Sequence, residues 1–183
     1  MTLIDPTLGL MQGARIVPSP NHDVRPAGAT VEAIVVHSIS LPPGQFGGVG
    51  VEQLFCNRLN PDEHPYYREI DGLKVSAHLF IRRSGEIIQF VPFHRRAWHA
   101  GESYCDGRTR VNDFSIGIEL EGTDTEPFED VQYDRLADVT KAIMLSYPRV
   151  TLQRIYAHSD IAPGRKTDPG DGFDWDRYLQ MLV

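Results

Sequence analysis

Two histidines and one aspartate have the residue types and the sequence positions expected of a metal site. His37 ends a short β-branched run, AIVVH, and His158 ends a second strand-like segment, RIYAH. Asp168 lies in a Pro- and Gly-containing loop after the second segment. Neutral imidazole nitrogen and carboxylate oxygen are standard zinc ligands, and a catalytic zinc site uses three of them and leaves a fourth position to water. The two histidines lie far apart in the sequence, so spacing alone leaves a structural role open for each.

A lysine in the same loop could act beside such a site. Residues 157–170 read AHSDIAPGRKTDPG, and Lys166 is one of only three lysines in the chain. Lys166 and Asp168 lie two positions apart, so an extended backbone points both side chains to one side. An ammonium group there could stabilise the oxyanion of a tetrahedral intermediate. The alternative is an exposed loop lysine in a surface ion pair, which would contribute little.

The segment 114–120, FSIGIEL, supplies the candidate general acid or base. Its apolar residues alternate with the others, which predicts a strand with two different faces. Glu119 then points away from the most apolar layer, where a carboxylate near a metal can take up and return a proton. Glu121 lies on the same face and is the rival candidate.

Trp98 and His99, in the segment AWHAG, could line the same cleft. An aromatic side chain next to a small-residue turn suits stacking on a sugar or a peptide. A Trp that only packs in the core is the alternative interpretation.

These residues need a rigid support, and the pattern predicts one. A β-branched run predicts a strand at 33–37, a second strand is predicted at 154–158, and Ser84-Gly85 predicts the turn of a hairpin over 76–90. The segment 41–50 is rich in Gly and Pro and predicts a loop beside His37. The strands and helices alternate too irregularly for a βαβ repeat, so we expect an α/β (α+β) domain with a mixed central sheet flanked by helices on both faces. Helices are predicted at 51–55, at 130–147 with Asp130 as N-cap and Pro148 after the end, and at 173–182.

Length and composition limit the alternatives. The chain has 183 residues, 41% of them hydrophobic, which suits one domain with an ordinary core. We expect an irregular N-terminal arm over 1–30, rich in Pro, Gly and Asn, that packs on a catalytic domain over 31–183. A formal net charge of −7 argues against nucleic acid or an anionic membrane surface as the main partner. The sequence shows no signal-peptide pattern and no membrane span, and only two cysteines, so we expect a cytoplasmic, monomeric protein with free thiols.

Five segments, in order along the chain, closely resemble one family of enzymes. Together they resemble the zinc amidases that include phage T7 lysozyme and the peptidoglycan recognition proteins, and most closely the cytosolic members that act on 1,6-anhydro-muropeptides. The resemblance runs from about residue 15 to residue 178. The segments are VVHSISLPPGQFGG, VSAHLFIRRSGEIIQFVPF, RAWHAG, NDFSIGIELEGTD and HSDIAPGRKTDPG.

The resemblance implies a mixed sheet flanked by helices, one zinc ion per chain and a set of site residues. The family's three zinc ligands fall on His37, His158 and Asp168. Its catalytic glutamate falls on Glu119, and its oxyanion-stabilising lysine falls on Lys166. The same two histidines and aspartate would also suit other borderline metals.

The resemblance also implies a reaction and positions for the substrate. The reaction is hydrolysis of the amide between the lactyl group of 1,6-anhydro-N-acetylmuramic acid and L-alanine in cytosolic muropeptides, a step of cell-wall recycling. Trp98 and Arg110 are the expected substrate contacts. Ser38 stands where related sequences carry Asn, which alters one expected hydrogen bond to substrate.

Two other functions are compatible with the same fold. One is a peptidoglycan-binding module without turnover, and the presence of Asp168 argues against it because non-catalytic relatives lack the third ligand. The other is an amidase that acts on intact peptidoglycan outside the cytoplasm, and the missing signal-peptide pattern argues against that.

Overall fold

A computed structural model describes residues 3–183. Within this range, six strands form a central sheet in the order β12-β5-β11-β6-β7-β3. The strands are β1 (Ile4–Asp5), β2 (Leu10–Met11), β3 (Arg15–Ile16), β4 (His22–Val24), β5 (Ala33–Ile39), β6 (Leu79–Ile81), β7 (Ile87–Gln89), β8 (Arg95–Ala97), β9 (Tyr104–Cys105), β10 (Arg108–Thr109), β11 (Ser115–Glu121) and β12 (Ile155–Ala157). The helices are α1 (Gly50–Phe55), α2 (Pro65–Glu69), α3 (Asp130–Ser146), α4 (His158–Ile161) and α5 (Trp175–Met181), with short 3-10 turns at Val111–Asp113 and Leu152–Arg154.

The sheet is mixed, as the sequence predicts. Strands β12, β5, β11 and β6 run parallel to one another, whereas β6 and β7 form an antiparallel hairpin. Gly85, at a φ of 82°, makes the turn of that hairpin, a conformation that glycine adopts without a steric penalty. The parallel strands bring their carboxyl ends to one edge, where the loops after β5, β11 and β12 meet.

Helices cover both faces of the sheet. Ile116, Ile118 and Leu120 of β11 belong to a buried apolar cluster that includes residues of α3 and α5. On the opposite face, Phe80 of β6 packs with residues of α1, and Val35 of β5 packs with Ile161 of α4. Burial of both sides explains why the first half of β5 reads as a continuous apolar run.

The N-terminal residues are more regular than expected. Strand β3 pairs with β7 and so forms one edge of the central sheet, and β4 pairs with β8. Frequent Pro and Gly keep these strands to two or three residues. Their backbone N–H and C=O groups nevertheless form hydrogen bonds with neighbouring strands. The division of the chain at residue 30 stays a prediction.

Several element boundaries differ from the sequence-based expectation. Strand β5 continues two residues past His37, and β12 ends before His158, which instead begins α4. The N-cap of α3 is Glu129 rather than Asp130, and its N–H donates to the side-chain oxygen of Gln132 at 3.0 Å. The predicted helix at 51–55 is confirmed as α1. Both cysteines are free.

None of the helices in residues 3–183 has the length and apolar character needed to cross a membrane.

Candidate metal centre and active site

Parallel pairing of β5 with β12 brings the two histidines together. The register places Ala157 opposite Val36, so His158 emerges next to His37 at the carboxyl edge of the sheet. The loop after α4 then returns, and the carbonyl of Asp168 accepts a hydrogen bond of 3.1 Å from the N–H of Ser159. This folding brings residues from three distant parts of the sequence to one point.

The three side chains converge through three specific atoms. Nδ1 of His37 lies 2.9 Å from Nδ1 of His158 and 3.2 Å from Oδ2 of Asp168. Nδ1 of His158 lies 3.0 Å from the same carboxylate oxygen. Both imidazoles are buried, at 1% and 3% exposure, whereas Asp168 is half-buried and faces the cleft. Within residues 3–183, these three side chains form the group whose geometry could hold a metal ion.

The donor chemistry of this cluster fits zinc. Nε2 of His158 lies 3.2 Å from the carbonyl oxygen of Ala100, which can only accept, so His158 carries its proton on Nε2 and presents a lone pair at Nδ1. That lone pair faces a carboxylate and a second imidazole, an arrangement that a cation would stabilise. Tetrahedral zinc with bonds of about 2.0–2.1 Å separates its ligand atoms by roughly 3.3 Å. The observed separations of 2.9–3.2 Å are close to this value.

Burial and mutual contacts favour the charge states of His37 and Asp168 that a metal needs. Burial lowers the pKa of His37 to about 4, even though its contact with Asp168 works in the opposite direction. For Asp168, burial works to raise the pKa, but its contacts with His158 and His37 outweigh burial and the pKa falls below its usual range. A neutral imidazole beside an ionised carboxylate is the form in which both bind metals.

Glu119 lies directly beside His37. The two residues are paired across the parallel strands β11 and β5, so their side chains leave the same face of the sheet. Glu119 is 8% exposed, and its buried Oε2 has no hydrogen-bond partner in the described chain. Burial raises the pKa of Glu119 well above its usual value, the negative charge of Asp168 adds to the rise, and Lys166 opposes it. An unpartnered carboxyl group with a raised pKa suits proton transfer.

Glu121, the rival candidate, is engaged elsewhere. Its Oε1 accepts a hydrogen bond of 2.6 Å from the N–H of Gly47, and its Oε2 accepts one of 3.0 Å from the N–H of Arg83. Glu121 therefore ties the Gly-rich loop to the sheet, and both of its oxygens are occupied. The alternation of the strand places Glu119 and Glu121 on the same face, but only Glu119 has an oxygen without a hydrogen-bond partner in the described chain.

Lys166 lies at the rim of the cleft. It is exposed, it lines the same cavity as Glu119 and Asp168, and it forms no ion pair with the residues described. Its backbone N–H is anchored to the carbonyl of Ala162 at 3.0 Å. The surface ion pair that the alternative interpretation requires is therefore not present in residues 3–183.

The cleft above the cluster has a volume of about 480 Å³. Trp98 is half-buried in its wall, as the sequence suggests. Arg110 is not among the described residues that line the cleft, since it is exposed and its Nε lies 3.3 Å from Asp113. The structure thus does not bring Arg110 to the site, and its role in substrate binding stays a prediction without geometric support.

Asp124 also lines the cleft, although it is not among the site residues predicted from the sequence. Its carboxylate accepts a hydrogen bond of 3.3 Å from Ser38 and another from the hydroxyl of Thr167. Asp124 therefore connects the ends of β5 and β11 to the loop that carries Lys166 and Asp168. A polar residue shortly after the end of β11, on the side where the other strands carry site residues, was the available signal.

The cluster formed by His37, His158 and Asp168 is open to the cleft on one side. That opening leaves room for water and a substrate carbonyl, as a metal-dependent hydrolase requires. The chain belongs to the N-acetylmuramoyl-L-alanine amidase family (Amidase_2), whose sequence profile matches residues 27–171.

Individual relatives agree with this assignment. The chain is 56% identical to the 1,6-anhydro-N-acetylmuramyl-L-alanine amidase AmpD of Escherichia coli strain K12, over 95% of this chain and 94% of the relative. A crystal structure of a selenomethionine derivative of AmpD superposes with a TM-score of 0.95 at 52% identity and covers 99% of both chains. The E. coli amidase AmiD, in complex with anhydro-N-acetylmuramic acid-L-Ala-D-gamma-Glu-L-Lys, superposes with a TM-score of 0.61 at 30% identity, over 84% of this chain and 58% of that one.

Proposed function

We propose that this protein is a zinc-dependent amidase that cleaves the bond between the lactyl group of 1,6-anhydro-N-acetylmuramic acid and L-alanine in muropeptides released from the cell wall. The close relatives that carry this activity in their names align over nearly their whole length. The observation that carries the proposal is the convergence of two imidazole lone pairs and one carboxylate oxygen beside the unpartnered carboxyl group of Glu119.

His37, His158 and Asp168 would hold the zinc ion. Zinc in such a site lowers the pKa of water to about 7 and polarises a carbonyl oxygen. Burial of the two imidazoles restricts access to the side that faces the cleft, so a substrate carbonyl approaches from there.

Glu119 would move the proton. Its carboxylate accepts a proton from the attacking water and passes it to the nitrogen of the departing L-alanine. Burial raises the pKa of Glu119 from its usual value, which is the direction of shift expected for a glutamate that takes up and returns a proton.

Lys166 would stabilise the charge that develops on the carbonyl oxygen, and Trp98 would support the sugar or the first peptide unit. Lys166 is free of competing ion pairs among residues 3–183, so its ammonium is available to the cleft. Trp98 presents an aromatic surface from the cleft wall.

The substrate class can be tested directly. Zinc-loaded protein is incubated separately with an anhydro-muropeptide and with intact sacculi, and the freed peptide is quantified by mass spectrometry. We expect rapid release from the anhydro-muropeptide and little from sacculi. Equal release from sacculi would favour an amidase of intact peptidoglycan, and binding to either material without release would favour a recognition module.

A further inference from the structure

A third histidine lies directly behind the first of the two histidines in the cluster. Nδ1 of His99 is 2.9 Å from Nε2 of His37, the ring nitrogen that faces away from Asp168. Nε2 of His99 is in turn 3.1 Å from the hydroxyl oxygen of Ser115. His99 is 8% exposed, and Ser115 is completely buried. The three side chains therefore form one line of contacts that runs from the cluster into the sheet.

The last contact fixes the direction of the whole line. The hydroxyl of Ser115 lies 2.7 Å from the carbonyl of Val111, which can only accept, so Ser115 donates to it. The oxygen of Ser115 then accepts from Nε2–H of His99, which leaves a lone pair on Nδ1 of His99. That lone pair accepts Nε2–H of His37. His37 consequently keeps its own lone pair on Nδ1, the atom that lies among the other donors of the cluster.

Two further features hold His99 in this place. The N–H groups of His99 and Ala100 both donate to Oδ1 of Asn112, at 3.1 and 2.8 Å. The imidazole lies flat against Gly117 of β11, where a Cβ would come within 2.6 Å of its Cδ2 and Nδ1 atoms. A glycine in the interior of a strand often marks such a close approach. The two hydrogen bonds to Asn112 thus fix the backbone of His99. The imidazole has room beside β11 only because residue 117 has no side chain.

We propose that His99 is a positioning residue for the metal centre: it holds the proton of His37 on Nε2 and thereby presents Nδ1 of His37 to the metal. The proposal rests on the proposed zinc site. The neighbouring residue acts in parallel, because the carbonyl of Ala100 accepts Nε2–H of His158 at 3.2 Å. Two consecutive residues of one segment therefore orient both histidine ligands. Partners of this kind commonly contribute about 10- to 100-fold to metal affinity.

Zinc affinity provides the first test. Dissociation constants are measured by competition with a chromogenic chelator for the wild-type protein, His99→Leu and His99→Asn. We expect His99→Leu to bind zinc about 10- to 100-fold more weakly. His99→Asn should recover most of the affinity, because its Oδ1 takes the place of Nδ1 and can accept from His37.

A second pair of variants with smaller changes tests the proposal even if His99→Leu does not fold. Ser115→Ala removes the acceptor of His99 and frees its ring to change tautomer, so zinc binding should weaken several-fold. Thr140→Val is the matched control, since it removes a buried hydroxyl that contacts Tyr178 at 2.7 Å on the other face of the sheet. We expect Thr140→Val to retain wild-type zinc affinity.

The tautomer itself provides a readout that does not depend on activity. Long-range 1H–15N spectra of the zinc-free protein should show the proton of His37 on Nε2 in the wild type and a mixture of tautomers in Ser115→Ala. Wild-type zinc affinity in His99→Leu would overturn the proposed role of His99. Equally weakened zinc affinity in His99→Asn and His99→Leu would also overturn it, and either result would leave the zinc site itself in place. A wild-type protein that binds no zinc would overturn the zinc site as well.

Discussion

The two faces of the β5–β11 pair are equally buried but chemically opposite. One face is apolar and packs beneath α3 and α5. The other face, offset from it by one residue, carries most of the polar side chains of this strand pair together with Val35 and ends at the cleft. The apolar face carries Ile34, Val36, Ile116, Ile118 and Leu120, and the polar face carries His37, Ser115, Gly117, Glu119 and Glu121.

The difference shows that burial alone does not distinguish a core from a site. A buried polar group is costly unless it is hydrogen-bonded, and Ser115 and Glu121 meet that requirement within the described chain. Glu119 does not, because its Oε2 has no partner in residues 3–183. The unpaired carboxyl group of Glu119 and the converging lone pairs beside it distinguish the functional residues of this face from its structural residues.

Removal of a proposed ligand should have the largest effect. His37→Ala, His158→Ala and Asp168→Ala should each lose zinc and turnover but keep the fold, because the apolar face packs independently of the metal. Metal analysis and circular dichroism of the three variants provide the measurement. Full zinc occupancy in any one of them would remove that residue from the ligand set.

The second prediction compares Glu119 with Glu121, two residues apart on the polar face. Glu119→Gln should lower turnover by about 100- to 10,000-fold, with zinc still bound, because an amide cannot take up the proton. Glu121→Gln should cost far less, because it retains one oxygen for the two backbone donors. Steady-state rates and zinc content of both variants test the assignment. Equal losses of turnover would contradict a single proton-transfer group.

The third prediction concerns Lys166. Lys166→Met should lower kcat by about 100- to 1,000-fold with little change in KM, because a charge that stabilises an oxyanion acts mainly in the transition state. Lys166→Arg should restore little activity, since a planar guanidinium group does not reproduce a compact ammonium. A kcat within a few-fold of wild type in Lys166→Met would show that Lys166 is an exposed loop residue without a part in the reaction.

The smallest effect on function is expected from the apolar face. Ile118→Val should lower the free energy of unfolding by about 0.5–1.5 kcal/mol, the usual cost of one buried methylene group. Zinc affinity and kcat of the folded protein should stay unchanged, although Ile118 is adjacent to Glu119 in the sequence. Urea denaturation together with a zinc titration measures both. A loss of zinc binding in Ile118→Val would show that the two faces are coupled.

The sequence predicts those features that are local. Alternation in 114–120 correctly predicts the two faces of β11, the β-branched run at 33–37 correctly predicts the core of β5, and the strand predicted at 154–158 is confirmed as β12. Features that depend on distant pairing are harder to predict. The contact of His99 with His37, the pairing of β3 with the sheet edge and the partners of Glu121 all join segments that are far apart in the chain.

The site residues follow the same division. The three residues that the resemblance indicates as zinc ligands, His37, His158 and Asp168, lie together in the structure. Their role as ligands of a metal stays a proposal. The role of Arg110 as a substrate contact stays a prediction, because Arg110 lies outside the described lining of the cleft, in a turn at a φ of 60° where its side chain contacts Asp113. No local pattern indicates a role for Asp124, because its partners, Ser38 of β5 and Thr167 of the loop after α4, come from distant parts of the chain.

The metal dependence of amide hydrolysis tests the central claim most directly. Protein stripped of metal by a chelator is incubated with an anhydro-muropeptide, one equivalent of zinc is then added, and the freed peptide is measured before and after the addition. The account predicts almost no release from the stripped protein and full turnover once zinc is restored. Release at the full rate without metal, or a folded protein that zinc does not reactivate, would contradict it.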